Sequence, residues 1–176
     1  APSTFWGEGV LTQMQTGLDA ETAVARVTSA DAGRAQRQLA ALDMAGGSGL
    51  YTGPANDDAK GGRVFPNGVV SGNMLTDTAV LDDMARAFRA APGPLDRRLL
   101  AALAAARAAG GDFRGLMSAA LLVLHPGRAP LSLRVDYHPD DPLAALAALH
   151  ERATTGAYAD WALQVPNPAE PQRVLD

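Results

Sequence analysis

Cysteine is absent from all 176 residues. Its absence excludes disulfides, thiolate metal ligands and a cysteine nucleophile from this sequence. Lysine is nearly absent too, with Lys60 the sole lysine among 15 basic residues. Those 15 face 19 acidic residues, for a net charge of −4. A mildly acidic chain with no basic cluster does not suit nucleic acid, whose phosphates call for grouped Lys and Arg, nor a polybasic membrane patch. No apolar run approaches the roughly 20 residues of a membrane span. The N-terminus lacks the charged-then-apolar pattern of a secretory signal, and a cytoplasmic protein is the expectation. Aromatic residues make up 5% of the chain.

What is present is an ordinary globular composition, 47% hydrophobic and 19% charged. The length fits one domain, read as residues 1–155 with a Pro-rich arm over 156–176. The spacing predicts helices over 7–17 (Val10, Leu11 and Met14 inward), 20–29 (Asp19 as N-cap) and 77–90. Further helices are expected over 95–109 (Leu95, Leu99 and Leu103 inward) and 142–153 (Leu143, Leu146 and Leu149). A hairpin is expected from a strand over 36–44, a Gly-rich turn and a return over 50–53, then a long loop over 54–68 and a short strand over 68–74. Met117–Leu124 is apolar on both faces and reads as a central, covered strand. Leu131–His138 alternates, with Leu131, Leu133, Val135 and Tyr137 on one face and Ser132, Arg134, Asp136 and His138 on the other. Segregated blocks of helices and strands imply an α+β fold.

Three constellations could carry chemistry. In Arg-Val-Asp-Tyr-His, the residues Arg134, Asp136 and His138 stand two apart, about 7 Å per step on an extended strand. A carboxylate between a guanidinium and an imidazole is held ionised by the first and can orient the second. The same pattern also fits the polar outer face of an edge strand. In Gly-Gly-Asp-Phe-Arg-Gly, Asp112 and Arg114 flank a Gly-rich loop that could approach an anion, and Ser118 follows as a hydrogen bonder or nucleophile. A helix stop with a local ion pair explains those residues equally well. In Ser-Gly-Asn-Met, Asn73 could offer an amide to an oxyanion, or simply turn the chain into the next helix. His125 reads as a surface turn residue and His150 as a partly buried helical one. No His/Asp/Glu set has zinc-site spacing, and no phosphate-loop or dinucleotide motif occurs, so no metal or cofactor is indicated.

The segments containing Val70–Leu75, Ala90–Val123 and Leu133–Leu146 together resemble the bacterial family catalogued as domain of unknown function 1028, whose members are Ntn-hydrolase-like. The similarity runs from about Trp6 to Ala153. It implies a four-layer αββα sandwich, two antiparallel sheets face to face with helices outside, and an amidase or peptidase acting on a small amide-containing molecule or peptide. On that implication Asn73, Ser118 and Asp136 are catalytic, while Asp112, Arg114, Arg134 and His138 bind substrate. Ntn hydrolases use an N-terminal Ser, Thr or Cys as nucleophile. Ala1 is none of these, so the expectation is that the family's opening strands and the nucleophile lie outside this sequence. A sheet lacking two strands exposes an edge, which points to a homo-oligomer or to pairing with the absent piece. The alternative is a non-catalytic ligand-binding or assembly module on the same fold.

Overall fold

The computed structural model describes residues 3–175. Ala1, which bears on the terminal-nucleophile expectation, lies outside them. The described residues form six α-helices and three two-stranded antiparallel sheets. They fall into two compact units, one of residues 1–90 and 105–114, the other of 91–104 and 115–176.

In the first unit, α1 (Thr4–Gln15) buries Trp6 and Val10. The apolar stripe begins one turn earlier than the spacing implied, because Trp6 and Val10 stand four apart, and Leu11 is left 59% exposed. α2 (Ala20–Ser29) has the expected bounds, and Asp19 caps it by accepting from the Thr22 N–H. Its Ala23 and Val24 pack on β1 (Gln38–Leu42) and β2 (Ser48–Thr52). Gly49 permits this contact, since a Cβ there would lie 2.2 Å from the Ala20 carbonyl oxygen. The hairpin turn is organised by Asp43, which accepts from the N–H groups of Ala20, Ala45 and Gly47 and so ties the turn to α2.

The loop expected over 54–68 contains a strand, β3 (Gly61–Phe65), paired with β4 (Gly68–Gly72). Its glycine pair and proline-rich flanks masked it, yet the Gly62–Phe65 positions pair in register across a two-residue turn in which Asn67 takes a positive φ of 58°. Lys60 ties down the preceding segment by donating to the carbonyls of Pro54 and Asn56. α3 (Ala79–Ala90) then covers β3 and β4 through Val80 and Leu81, which are fully buried.

The second unit is built on β5 (Ala119–His125) and β6 (Arg128–Val135). β5 is not a central, covered strand: among the described residues it pairs with β6 alone, Leu121 is buried, and Leu122 and Leu124 are 60% and 68% exposed. Alternation on a two-stranded sheet places them on the face opposite Leu121. The inward face of β6 is Leu131, Leu133 and Val135 as expected, but the strand ends there and Tyr137 is exposed. α5 (Pro142–Thr154) packs on this hairpin with Leu146 fully buried, while Leu149 is exposed and His150 takes the inward position. Along α4 (Leu95–Ala108) the most buried residue is Ala102, and Leu95 is exposed. Within the C-terminal arm a short helix forms, α6 (Gly156–Ala162).

Candidate functional site

The seven candidate residues divide into two sets, one in each unit. In the first unit Asn73 follows β4, and its side chain is fixed by a residue the sequence did not single out. Gln38, at the start of β1, accepts from Asn73 Nδ2 at 3.0 Å. The other end of the Gln38 amide donates toward Thr52 Oγ1 at 2.9 Å and the carbonyls of Gly61 and Gly72, both at 3.0 Å. One amide thus links β1, β2, β3 and the end of β4. A glutamine in an apolar-rich strand gives no sequence signal for such a role, because the partners come from 14 to 35 residues away. After Asn73, Met74 adopts a left-handed conformation, φ 56°, that a long side chain rarely takes. Such strain persists only where surrounding bonds over-determine the backbone. Here the Met74 carbonyl accepts from Phe113 N–H, and Leu75 pairs with Asp112 across an isolated bridge. Asn73 and the Asp112 loop therefore lie on neighbouring backbone segments.

Asp112 and Arg114 form a local ion pair, with Arg114 Nη2 2.6 Å from the carboxylate and the Arg114 backbone N–H also donating to it. The Arg114 hydrogen bond, against an opposing effect of burial, holds the Asp112 carboxyl below its ordinary range. Each charge satisfies the other, so the pair shapes the loop after α4.

In the second unit Arg134 and Asp136 are joined at 2.6 Å, both well exposed. That bond raises the Arg134 guanidinium further above its usual value. His138 does not complete a line with them. The strand has ended at Val135, and His138 Nδ1 accepts from the N–H groups of Asp140 and Asp141 instead. The imidazole is a bracket ahead of α5, and Asp136 does not orient it. Ser118 lies just before β5, exposed, and beside the backbone bond from His138 N–H to the Met117 carbonyl. Its hydroxyl is paired with no base among the described residues.

The buried polar pair of this unit was not anticipated as a pair. His150 Nε2 lies 2.5 Å from Asp96 Oδ2, with side-chain exposures of 7% and 15%. Burial pushes the Asp96 carboxyl up, but the His150 hydrogen bond and backbone N–H groups outweigh it and leave it below its ordinary value. The 54-residue separation hides the pairing from any local motif. His125 is the exposed turn residue expected, its Nδ1 accepting from the Gly127 N–H. Among the described residues no three His, Cys, Asp or Glu side chains are grouped to hold a metal ion.

Comparison with other proteins places this geometry. The profile of a family described as "Family of unknown function (DUF1028)" matches residues 1–146. The chain belongs to the DUF1028 family. A DUF1028 member of known structure, protein SPO2555 from Silicibacter pomeroyi, is 55% identical and superposes with a TM-score of 0.94. That similarity covers all of this chain and 79% of the SPO2555 chain. No curated protein matches this sequence. The DUF1028 assignment agrees with the resemblance drawn from the Gly-Asn-Met, Gly-Gly-Asp and Arg-Val-Asp segments. It carries no activity with it. Among the described residues no helix is long and apolar enough to cross a membrane.

Proposed function

We propose that this chain is the core of an Ntn-hydrolase-like amide hydrolase, acting on a small amide-containing molecule or a peptide, with Asn73 as an oxyanion donor. The observation that carries the proposal is the rigidly held Asn73 next to the left-handed Met74. A preorganised donor stabilises developing negative charge without reorganising, and removing one such donor costs about 2.7–4 kcal/mol in other acyl-transfer enzymes. One Asn73 Nδ2 hydrogen is taken by Gln38, which fixes the amide plane and leaves the second for a substrate oxygen. Asp112 and Arg114 keep the neighbouring loop in place. Ser118 is not the nucleophile in this proposal, for want of a base; a terminal Ser, Thr or Cys, acting with its own amino group, is proposed as the nucleophile. In the second unit Arg134 and Asp136 form an exposed charged pair where β6 ends, and His138 shapes the loop beyond them.

The four-layer αββα sandwich is part of the same proposal. Its support is the β5–β6 hairpin, which packs one face on α5 and leaves Leu122 and Leu124 open on the other, as a sheet awaiting further strands or a second layer would. The exposed Leu face also favours a second reading, an assembly module that uses it as an interface between copies. Intact mass and N-terminal sequencing of the natively expressed protein, followed by a panel of amide substrates, test both. A mature terminal Ser, Thr or Cys, with turnover that falls at least a hundredfold in Asn73→Ala, is the expected result. A folded native protein that leaves every amide untouched overturns the hydrolase and leaves the assembly module.

A further inference from the structure

The second unit holds an open cavity of about 650 Å³ that shares no residue with the candidate catalytic set. Its size is that of a small-molecule site, roughly 300–1,000 Å³. The apolar part comes from Val123, Leu131 and Leu133 on the hairpin and from Tyr158, Trp161 and Leu163 around α6. Tyr158, Trp161 and Leu163 are 48–59% exposed although they line the same concavity. Single exposed apolar side chains are commonplace, but several converging on one hollow are not.

The charges around it are unequal. Asp96 contributes to the lining, but its carboxylate is occupied by His150. Arg128 also lines the cavity, and its guanidinium has no hydrogen-bond or ion-pair partner among the described residues. Opposite it, in register across the hairpin, stands His125. Because His125 Nδ1 accepts from Gly127 N–H, the neutral ring carries its proton on Nε2 and presents a donor. The cavity therefore has an apolar body, a donor pair at the β5–β6 turn, and no uncommitted carboxylate.

We propose that this cavity binds an anionic amphiphile, a medium-chain or aromatic carboxylate, with its head on Arg128 and His125 and its tail between Leu133 and Trp161. Arg suits a carboxylate because its planar fork can donate two parallel bonds. The inference goes beyond the hydrolase reading and does not depend on it.

Calorimetric titration of the full chain with decanoate and with decylammonium, equal in tail and opposite in charge, tests it. Decanoate is expected to saturate one site with a dissociation constant on the order of 100 μM, and decylammonium to bind at least about tenfold more weakly. Arg128→Ala is expected to weaken decanoate about tenfold, and Arg128→Glu to reverse the preference between the two probes. Arg128 is exposed and unpaired, so both variants retain the wild-type melting temperature. Equal affinity for the two probes, no saturable heat with decanoate up to about 1 mM, or an Arg128→Glu variant that keeps the wild-type preference overturns the proposal.

Discussion

Replacing Gln38 with Glu changes almost no volume and removes both N–H donors from the point where β1, β2, β3 and the end of β4 meet. The carbonyls of Gly61 and Gly72, each 3.0 Å from Nε2, would face a carboxylate oxygen in place of a donor. The Thr52 hydroxyl can rotate to donate, so one of the three contacts survives in reversed sense. Two lost N–H···O bonds cost about 1 kcal/mol each. Holding a half-buried carboxylate against two carbonyl oxygens adds about 1–2 kcal/mol more, for a total near 3–4 kcal/mol at neutral pH. For a chain of this size that is a fall in melting temperature of about 6–16 °C. The assay is thermal unfolding followed by Trp6 fluorescence in a Trp161→Phe background, which confines the signal to the first unit. The variant carries its own internal check. The carboxyl introduced by Gln38→Glu would have a raised pKa in the folded state, so the deficit is present above that value and shrinks as pH falls toward the unfolded value of about 4.3. A protonated carboxyl regains one donor. If Gln38→Glu melts with wild type at pH 7, or if its deficit is the same at pH 4 as at pH 7, the bridging role assigned to this amide is wrong.

Two further outcomes follow from the same unit. Gly49→Ala would drive a Cβ to 2.2 Å from the Ala20 carbonyl oxygen and 2.7 Å from Val24 Cγ2. We expect about 3 kcal/mol of destabilisation, the upper end of ordinary overpacking, read by urea unfolding; a variant as stable as wild type would mean that α2 is free to lift from β2. Asp43 is held below its ordinary pKa mainly by the N–H groups of Ala20 and Gly47. A carboxyl lowered by folding contributes stability above its unfolded pKa of about 3.9 and loses it as pH falls through the folded value. Asp43→Asn should thus be less stable than wild type at pH 7 and show a shallower loss between pH 5 and 2; parallel acid-unfolding curves would refute it.

What could be read ahead of the structure was local. α2 and its Asp19 cap, the hairpin of β1 and β2, and the apolar face of β6 all rest on neighbours within a few residues, and the expected ranges hold to within two or three positions. What escaped was set by distant partners. The apolar run at Met117–Leu124 suits a strand covered on both sides, but coverage depends on what packs there, and in this chain Leu122 and Leu124 face outward. His138 stood at the correct period to join Arg134 and Asp136, yet the strand stopped three residues earlier and the N–H groups ahead of α5 claimed its ring. Gln38 and the Asp96–His150 pair could not have been found by spacing, since their partners lie tens of residues away.

The tether made by Lys60 has a practical consequence. Because this is the sole lysine, amine-directed reagents have one side-chain target in the chain. That target donates to the carbonyls of Pro54 and Asn56, at 2.7 and 2.6 Å. An amine engaged in this way reacts only when it lets go, so the acylation rate of Lys60 becomes a clock for the opening of the 54–60 segment, readable by mass alone and without introducing a label.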